Sequence, residues 1–351
     1  MASGWKSLVC PVGADPKRKI LNLWAVDVDP ETGHVRGRPS QVTTGSGHAE
    51  SWISSSLDGR RLAILRGQGL SDTTRVATIE PGGNLATSQT IRTDASDVYL
   101  LSWFNDELFL TGNPQGKWGV YKFVLGTSGA QFLVSLPESG QHPVITPDQQ
   151  WVLYNERYLD SASHDLFHLV RVPINGGAAP AQVLDGKLSL RCASQAKTCV
   201  LLETGSGKSA FYILDPLKGR GAKLLEASRV VRRVEWSVAP DGNSIAFVEP
   251  EAGRTIEILP LNGKPNFSIE TKVWVDRLEW PTDNQHLYVA ANLDGQNRSQ
   301  VLRFNLAGES KLLLQMAKGQ ALDVFLVSPD EKYVAYCTFE PEKNVTLLEN
   351  F

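Results

Sequence analysis

A short unit recurs along nearly the whole chain: an apolar strand, a tight turn made from Pro, Asp, Asn or Gly, then a second apolar strand. Ser56-Leu57-Asp58-Gly59 precedes Arg61-Leu62-Ala63-Ile64-Leu65, and Thr146-Pro147-Asp148 precedes Trp151-Val152-Leu153-Tyr154. Ala239-Pro240-Asp241-Gly242 precedes Ser244–Val248, Pro281-Thr282-Asp283 precedes His286–Val289, and Ser328-Pro329-Asp330 precedes Tyr333–Tyr336. Degenerate copies sit at Phe104-Asn105-Asp106 and Ser194-Gln195-Ala196. Pro presets the first turn angle, and Asp and Gly tolerate the angles that follow, so the unit is a turn with a mechanism. Anchored on Asp58, Asn105, Asp148, Gln195, Asp241, Asp283 and Asp330, the steps run from 42 to 47 residues. A fixed period of this kind constrains the fold more than any local feature.

Six of the anchors are followed by a further strand with period-two alternation: Thr74–Ile79, Trp118–Val124, Phe167–Ile174, Ala210–Leu214, Thr255–Leu259 and Gln300–Leu306. Gly-rich turns such as Pro81-Gly82-Gly83 and Asn175-Gly176-Gly177 lead on to a weaker fourth strand. No window of about 11 residues keeps a helical apolar stripe free of Gly and Pro, so no helix is expected. Four strands in about 45 residues is the size of one β-propeller blade. The expectation is an all-β chain, a β-propeller of four-stranded antiparallel blades, seven in number with eight as the alternative. Residues 1–351 read as a single domain whose closing blade is built from both termini. Lys6–Val12, Ile20–Val28 and Pro39–Thr44 would supply its second, third and fourth strands, and the C-terminus, ending in Val345–Leu348, the others. Shared closure of this type removes exposed sheet edges.

The blade pattern resembles the TolB-type and WD-repeat-like propellers. More narrowly, it is similar to the propeller regions that acidobacterial proteins carry behind a serine/threonine kinase or winged-helix domain. The matching stretches are Asn22–Asp29, Arg191-Cys192-Ala193 with Cys199-Val200-Leu201, Asp215–Gly221, and the terminal Leu348-Glu349-Asn350-Phe351. The sequence contains no kinase or winged-helix segment. The resemblance implies a sensor portion of a larger signalling protein.

Several motifs invite chemistry and are better explained without it. Gly205-Ser206-Gly207-Lys208-Ser209 has the tail of a phosphate loop, but Leu202 stands where the first Gly is needed, and a strand follows instead of a helix. It reads as a hairpin turn. There is no Gly-x-Ser-x-Gly elbow. His164 and His168 would lie about 13 Å apart on a strand, too far for one ion, so no metal and no cofactor are expected. Cys192 and Cys199 flank a short turn and could meet as a disulfide or pack as two small thiols; both readings stand. Cys10 and Cys337 read as packing residues, and Trp52, Trp103, Trp236 and Trp280 as wedges between blades.

A propeller gathers loops from every blade at one end of its channel. The residues expected to bind a ligand there are His48, Glu50, Asp94, Asp97, His142, Arg229, Arg232 and Trp274. This mixture of acids, bases and aromatics suits a protein, a peptide or a small polar ligand, and it offers no reactive constellation. No catalytic residue is assigned. The alternative is a propeller enzyme of the polysaccharide lyase or glycoside hydrolase type using channel-mouth carboxylates and histidines. With 35 basic and 38 acidic residues the charge is nearly balanced, so no nucleic-acid partner is expected. No apolar run is long enough to span a membrane, and a monomer is expected. Location is left open: cytoplasmic if the chain stands alone, periplasmic or otherwise extracytoplasmic if it ends a membrane-anchored protein.

Overall fold

The computed structural model describes residues 7–15, 20–29, 31–42, 49–56, 61–67, 73–80, 85–91, 98–112, 117–127, 129–137, 139–159, 165–186, 188–204, 209–227, 235–248, 253–281, 283–293, 298–316, 321–339 and 343–349. Every regular element among them is a β-strand. They fall into two compact units, Met1–Ser71 with Glu340–Phe351, and Asp72–Phe339.

The smaller unit holds two three-stranded sheets. One orders β1 (Ser7–Asp15), β2 (Ile20–Val28) and β3 (Val35–Gln41); the other places β5 (Arg61–Gly67) between β4 (Ala49–Ser55) and β30 (Lys343–Glu349).

The larger unit is a propeller of six four-stranded antiparallel blades. Five are built from consecutive strands. The first has β8 (Tyr99–Phe104), β9 (Glu107–Gly112), β10 (Gly119–Val124) and β11 (Ala130–Ser135). The second has β12 (Gly140–Ile145), β13 (Trp151–Leu159), β14 (Asp165–Pro173) and β15 (Ala181–Asp185). The third has β16 (Ser189–Cys192), β17 (Cys199–Thr204), β18 (Ser209–Asp215) and β19 (Gly219–Ala227). The fourth has β20 (Glu235–Val238), β21 (Ser244–Val248), β22 (Thr255–Pro260) and β23 (Phe267–Glu270). The fifth has β24 (Trp274–Glu279), β25 (His286–Leu293), β26 (Arg298–Asn305) and β27 (Ser310–Gln315). The sixth joins β28 (Ala321–Val327) and β29 (Tyr333–Phe339) to β6 (Thr73–Ile79) and β7 (Leu85–Thr90).

The core of this unit is a cycle of six apolar clusters, one between each pair of neighbouring blades. Leu153 and Leu169 of the second blade pack with Leu190 and Leu201 of the third. Trp236 of the fourth blade is fully buried against Phe211 of the third, edge to face at 5.4 Å. The cycle closes on the sixth blade, where Phe325 and Val334 meet Tyr288 and Val301 on one side. On the other side Ala335 and Cys337 meet Leu100 and Trp103. The first strands of adjacent blades adjoin at five of the six junctions, and at the remaining one β28 meets β25 and β26, so the first strands are the innermost.

The expected count of seven blades, or eight, is corrected to six. All seven turn-linked strand pairs form, but only six of them acquire third and fourth strands. The strand after β5 does not fold back on it: β6 lies on β29, with Thr78 opposite Tyr333, Val76 opposite Ala335 and Thr74 opposite Cys337. β5 takes β30 instead, with Val345 opposite Leu65. A period counts turn-linked pairs; it does not say which second strand receives which third strand, because β5 and β29 are similar apolar edges after similar turns. Burial decides. On β29, Thr74, Val76 and Ala77 become buried, and the Thr74 hydroxyl lies 3.3 Å from Cys337 Sγ.

The anchor turns do the work their composition suggests. Asp148 Oδ1 accepts from the Gln150 amide and the Thr146 hydroxyl, Asp330 Oδ1 from the Lys332 amide and the Ser328 hydroxyl, and Asp241 Oδ1 from the Asn243 amide. These side chains satisfy turn amides that the strands leave unpaired. Between blades the turns also knit together. The amides of Gln195 and Ala196 donate to Pro240 O, the Asp241 amide donates to Asn284 Oδ1, and Ser194 Oγ donates to Pro281 O at 2.6 Å.

Candidate functional site on the inner wall

Side chains alternate along each innermost strand, so one set is buried between blades and the other is left toward the middle of the ring. Leu190, Trp236, Leu278 and Phe325 belong to the buried set, each at most 3% exposed. Pairing register identifies the other set. Opposite the third residue of the second strand stand Ser102, Val144, Ser237, Glu279 and Leu326 in five blades, and opposite the second residue of β17 stands Arg191. Two pairing steps further along stand Tyr99, Gln141, Ser189, Glu235, Arg277 and Val324.

Of these twelve, the four charged residues all lie on three consecutive blades, the third, fourth and fifth. Arg277 Nη1 donates to Glu235 Oε1 at 2.7 Å, bridging the fourth and fifth blades. Arg191 is held over the Trp236 ring, 5.9 Å from its centroid, with Nε donating to Trp236 O and Nη1 to Leu190 O. The Trp236 indole in turn donates to Ser189 Oγ at 2.9 Å, and Ser237 Oγ accepts from the Trp280 amide. Glu279 differs from its neighbours. It is partly accessible, and among the described residues it forms no hydrogen bond or ion pair. Burial pushes its pKa up, the Arg191 charge opposes this, Glu235 adds to it, and Arg277 opposes it; the result is about 7. A carboxyl group that changes charge near neutrality is the group of this wall best suited to recognition or proton transfer.

A second cluster proves to be a fastener. Asp283, His286 and Glu331 bring ligand atoms within 4.8 Å of one another. The Arg303 guanidinium already fills that space, with Nη2 2.9 Å from Glu331 Oε2 and 3.1 Å from His286 Nδ1. Burial works to raise the Asp283 pKa, but hydrogen bonds from the His286 side chain and the Gln285 and His286 amides hold it below its ordinary value. The cluster ties the anchor turns of the fifth and sixth blades.

Of the eight residues expected at the channel mouth, His48, Asp94, Asp97, Arg229 and Arg232 lie outside the described residues, and Glu50 falls in β4 of the smaller unit. His142 stands exposed at a bulge in β12 with a φ of 50°. Trp274 opens β24, 44% exposed, with its ring laid on Gly253, where a Cβ would come within 2.4 Å of it. Trp274 opens the innermost strand of the fifth blade and His142 is the third residue of that of the second, and these two blades face each other across the ring. The charged wall was missed, although the sequence carries a signal for it. Arg191, Ser237 and Glu279 each lie four residues before their turn anchor, and Glu235 and Arg277 lie six before theirs.

Cys192 and Cys199, directly opposite on β16 and β17, form a disulfide. The phosphate-loop-like segment joins β17 to β18, whose ends pair as Thr204 with Ser209, and a strand follows it. His164 lies outside the described residues. His168 Nδ1 bonds Asp185 Oδ1 at 2.8 Å and the ring stacks on Tyr158 at 4.0 Å. Cys337 is buried in the core.

No protein-family model matches this chain, and no curated protein matches it. Solved structures do. A protein of Agrobacterium tumefaciens described as TolB aligns over 78% of this chain and 99% of its own, with 13% identity and a TM-score of 0.55. TolB of Acinetobacter baumannii aligns over 98% of this chain and 82% of its own, with 11% identity and a TM-score of 0.49. The β-propeller domain of the Trilobed protease from Pyrococcus furiosus aligns over 89% and 95%, with 13% identity and a TM-score of 0.47. At such identities the first of these establishes the fold alone: the chain has a TolB-like β-propeller.

Proposed function

We propose that this chain is a non-enzymatic binding and sensing module whose ligand, a peptide segment or a small polar molecule, is held on the inner wall of the third to fifth blades. One observation carries the reading: the charged residues among the twelve wall positions are confined to those blades, and the Glu279 carboxyl there has no partner among the described residues. Desolvated charge is costly to maintain, so a carboxyl left without a hydrogen bond is well placed to gain one from a ligand. His142, at the bulge of β12, and Trp274, at the start of β24, would extend the surface.

The test is a thermal-shift screen of short peptides and polar metabolites. It compares the wild type with Glu279→Gln/Arg277→Gln and with Val144→Ala on the uncharged wall. A ligand at 100 times its Kd should stabilise the wild type and the Val144 variant by about 2.7 kcal/mol and leave the charge-neutralised variant unchanged. Ligands that protect all three proteins equally would remove the charged wall from the function. A hydrolytic reading has one observation in its favour, because a salt-bridged carboxylate, Glu235, shares the wall with a carboxyl group that titrates near 7. Turnover of a screened oligosaccharide that disappears in Glu279→Gln would establish that reading instead.

A further inference from the structure

The chemistry of the wall narrows the class of ligand. Arg191 on the third blade and Glu279 on the fifth each lie four residues before their turn anchor, as does Ser237 on the blade between them. The Arg191 charge acts on Glu279 more strongly than either Glu235 or Arg277, yet the two form no ion pair. Arg191 spends Nε and Nη1 on backbone carbonyls, and its Nη2 has no acceptor among the described residues. One acid and one base thus stand apart on one wall, each with unused hydrogen-bonding capacity, while the other acid and base, Glu235 and Arg277, neutralise each other.

At the twelve described wall positions, two guanidinium groups and two carboxyl groups carry no net charge when all are ionised. A simple anion would gain from Arg191 and lose against Glu279, and a simple cation the reverse. A molecule carrying both charges, in the opposite order, gains from both. We propose that the wall recognises a zwitterion, an amino acid or short peptide whose ammonium group bonds the Glu279 carboxylate and whose carboxylate bonds the free edge of the Arg191 guanidinium. This rests on the binding reading above. Charge-assisted bonds of this type are about twice as strong as neutral ones, and the planar guanidinium matches a carboxylate geometrically. Trp236 fixes that guanidinium in place before any ligand arrives, which lowers the entropy cost of binding.

The ammonium group requires Glu279 ionised. The charges acting on Glu279 come from Arg191, Glu235 and Arg277, and the matching β28 positions, Val324 and Leu326, are uncharged. With Glu279 titrating at about 7 in the free protein, affinity should fall roughly tenfold from pH 8 to pH 6.

Calorimetric titration of the full chain with glycine, diglycine and triglycine, alongside N-acetyl-diglycine and diglycine amide, tests this. At pH 8 at least one zwitterion should bind ten or more times tighter than both blocked peptides. Glu279→Gln should erase both the amine preference and the pH dependence. Arg191→Lys should weaken the zwitterion and leave diglycine amide unchanged. Amide binding equal to the zwitterion would overturn the Arg191 half of the proposal, and N-acetyl binding equal to it the Glu279 half. If no zwitterion binds at millimolar concentration but another polar ligand protects the wild type selectively in the thermal screen, the zwitterion proposal falls and the binding reading survives. If nothing binds in either experiment, both fall.

Discussion

The two halves of the ring are built alike and finished differently. Each half has three four-stranded blades, and apolar clusters of similar composition separate neighbours throughout. On the innermost strands the first, second and sixth blades present Tyr99, Ser102, Gln141, Val144, Val324 and Leu326. The third to fifth present Arg191, Glu235, Arg277 and Glu279 with two serines. At these described positions the first, second and sixth blades carry no charge, so packing between blades does not require charge there. Charge that stability does not demand, kept where it is costly, points to use.

The comparison is easiest to break at the closing blade, which anchors the uncharged half. Thr74 lies opposite Cys337, with the hydroxyl 3.3 Å from the sulfur. Thr74→Cys should therefore crosslink to Cys337 under mild oxidation, and peptide mapping should find that bond in nearly all molecules. A Cys337 thiol that stays fully alkylatable after denaturation would mean that β6 does not lie on β29.

Next in size are two truncations, one in each half. Trp236→Ala and Phe325→Ala, both in fully buried side chains, should each cost about 3–5 kcal/mol in urea unfolding. They should differ in function, because only Trp236 supports Arg191. Equal loss of ligand binding in both would make the halves functionally equivalent. Reduction of the Cys192–Cys199 bond, which closes a loop with a sequence separation of 7, should cost less, about 2–3 kcal/mol in the same assay.

The smallest effect concerns Glu279. Its pKa rises from 4.5 to about 7 in the folded chain, so between those values the folded state holds a proton that the unfolded state has released. Its contribution to stability is full below about 4.5 and is lost as pH rises through about 7. Glu279→Gln should abolish that loss and exceed the wild type above pH 7 by on the order of 1–3 kcal/mol, reduced by the group's partial accessibility. A stability profile between pH 4.5 and 7 identical in both proteins would show that Glu279 is fully solvated.

The turn chemistry was the most legible part of the sequence. Asp148, Asp241 and Asp330 cap their turns through contacts only a few residues long, and local spacing predicts local contacts. The blade number was not legible, because the pairing of β6 with β29 joins residues far apart in the chain through an edge that β5 also offers. The charged wall lay between these cases. Arg191 is the single charge of its short strand and Glu279 the last of three in its own, each four residues before its anchor, a spacing that marks position but not which side chain lacks a partner. That Glu279 lacks a partner among the described residues depends on where three separate blades meet, and no sequence spacing encodes that.

The most direct measurement is a carbon-13 NMR titration of the Glu279 carboxyl in the intact chain, assigned by its disappearance in Glu279→Gln. A partly buried carboxyl group that has no partner among the described residues, under the influence of Arg191 and Glu235, should titrate with a midpoint near 7. A midpoint near the ordinary 4.5 would mean that the wall is open to water and holds no poised group, and would contradict the assignment of the site.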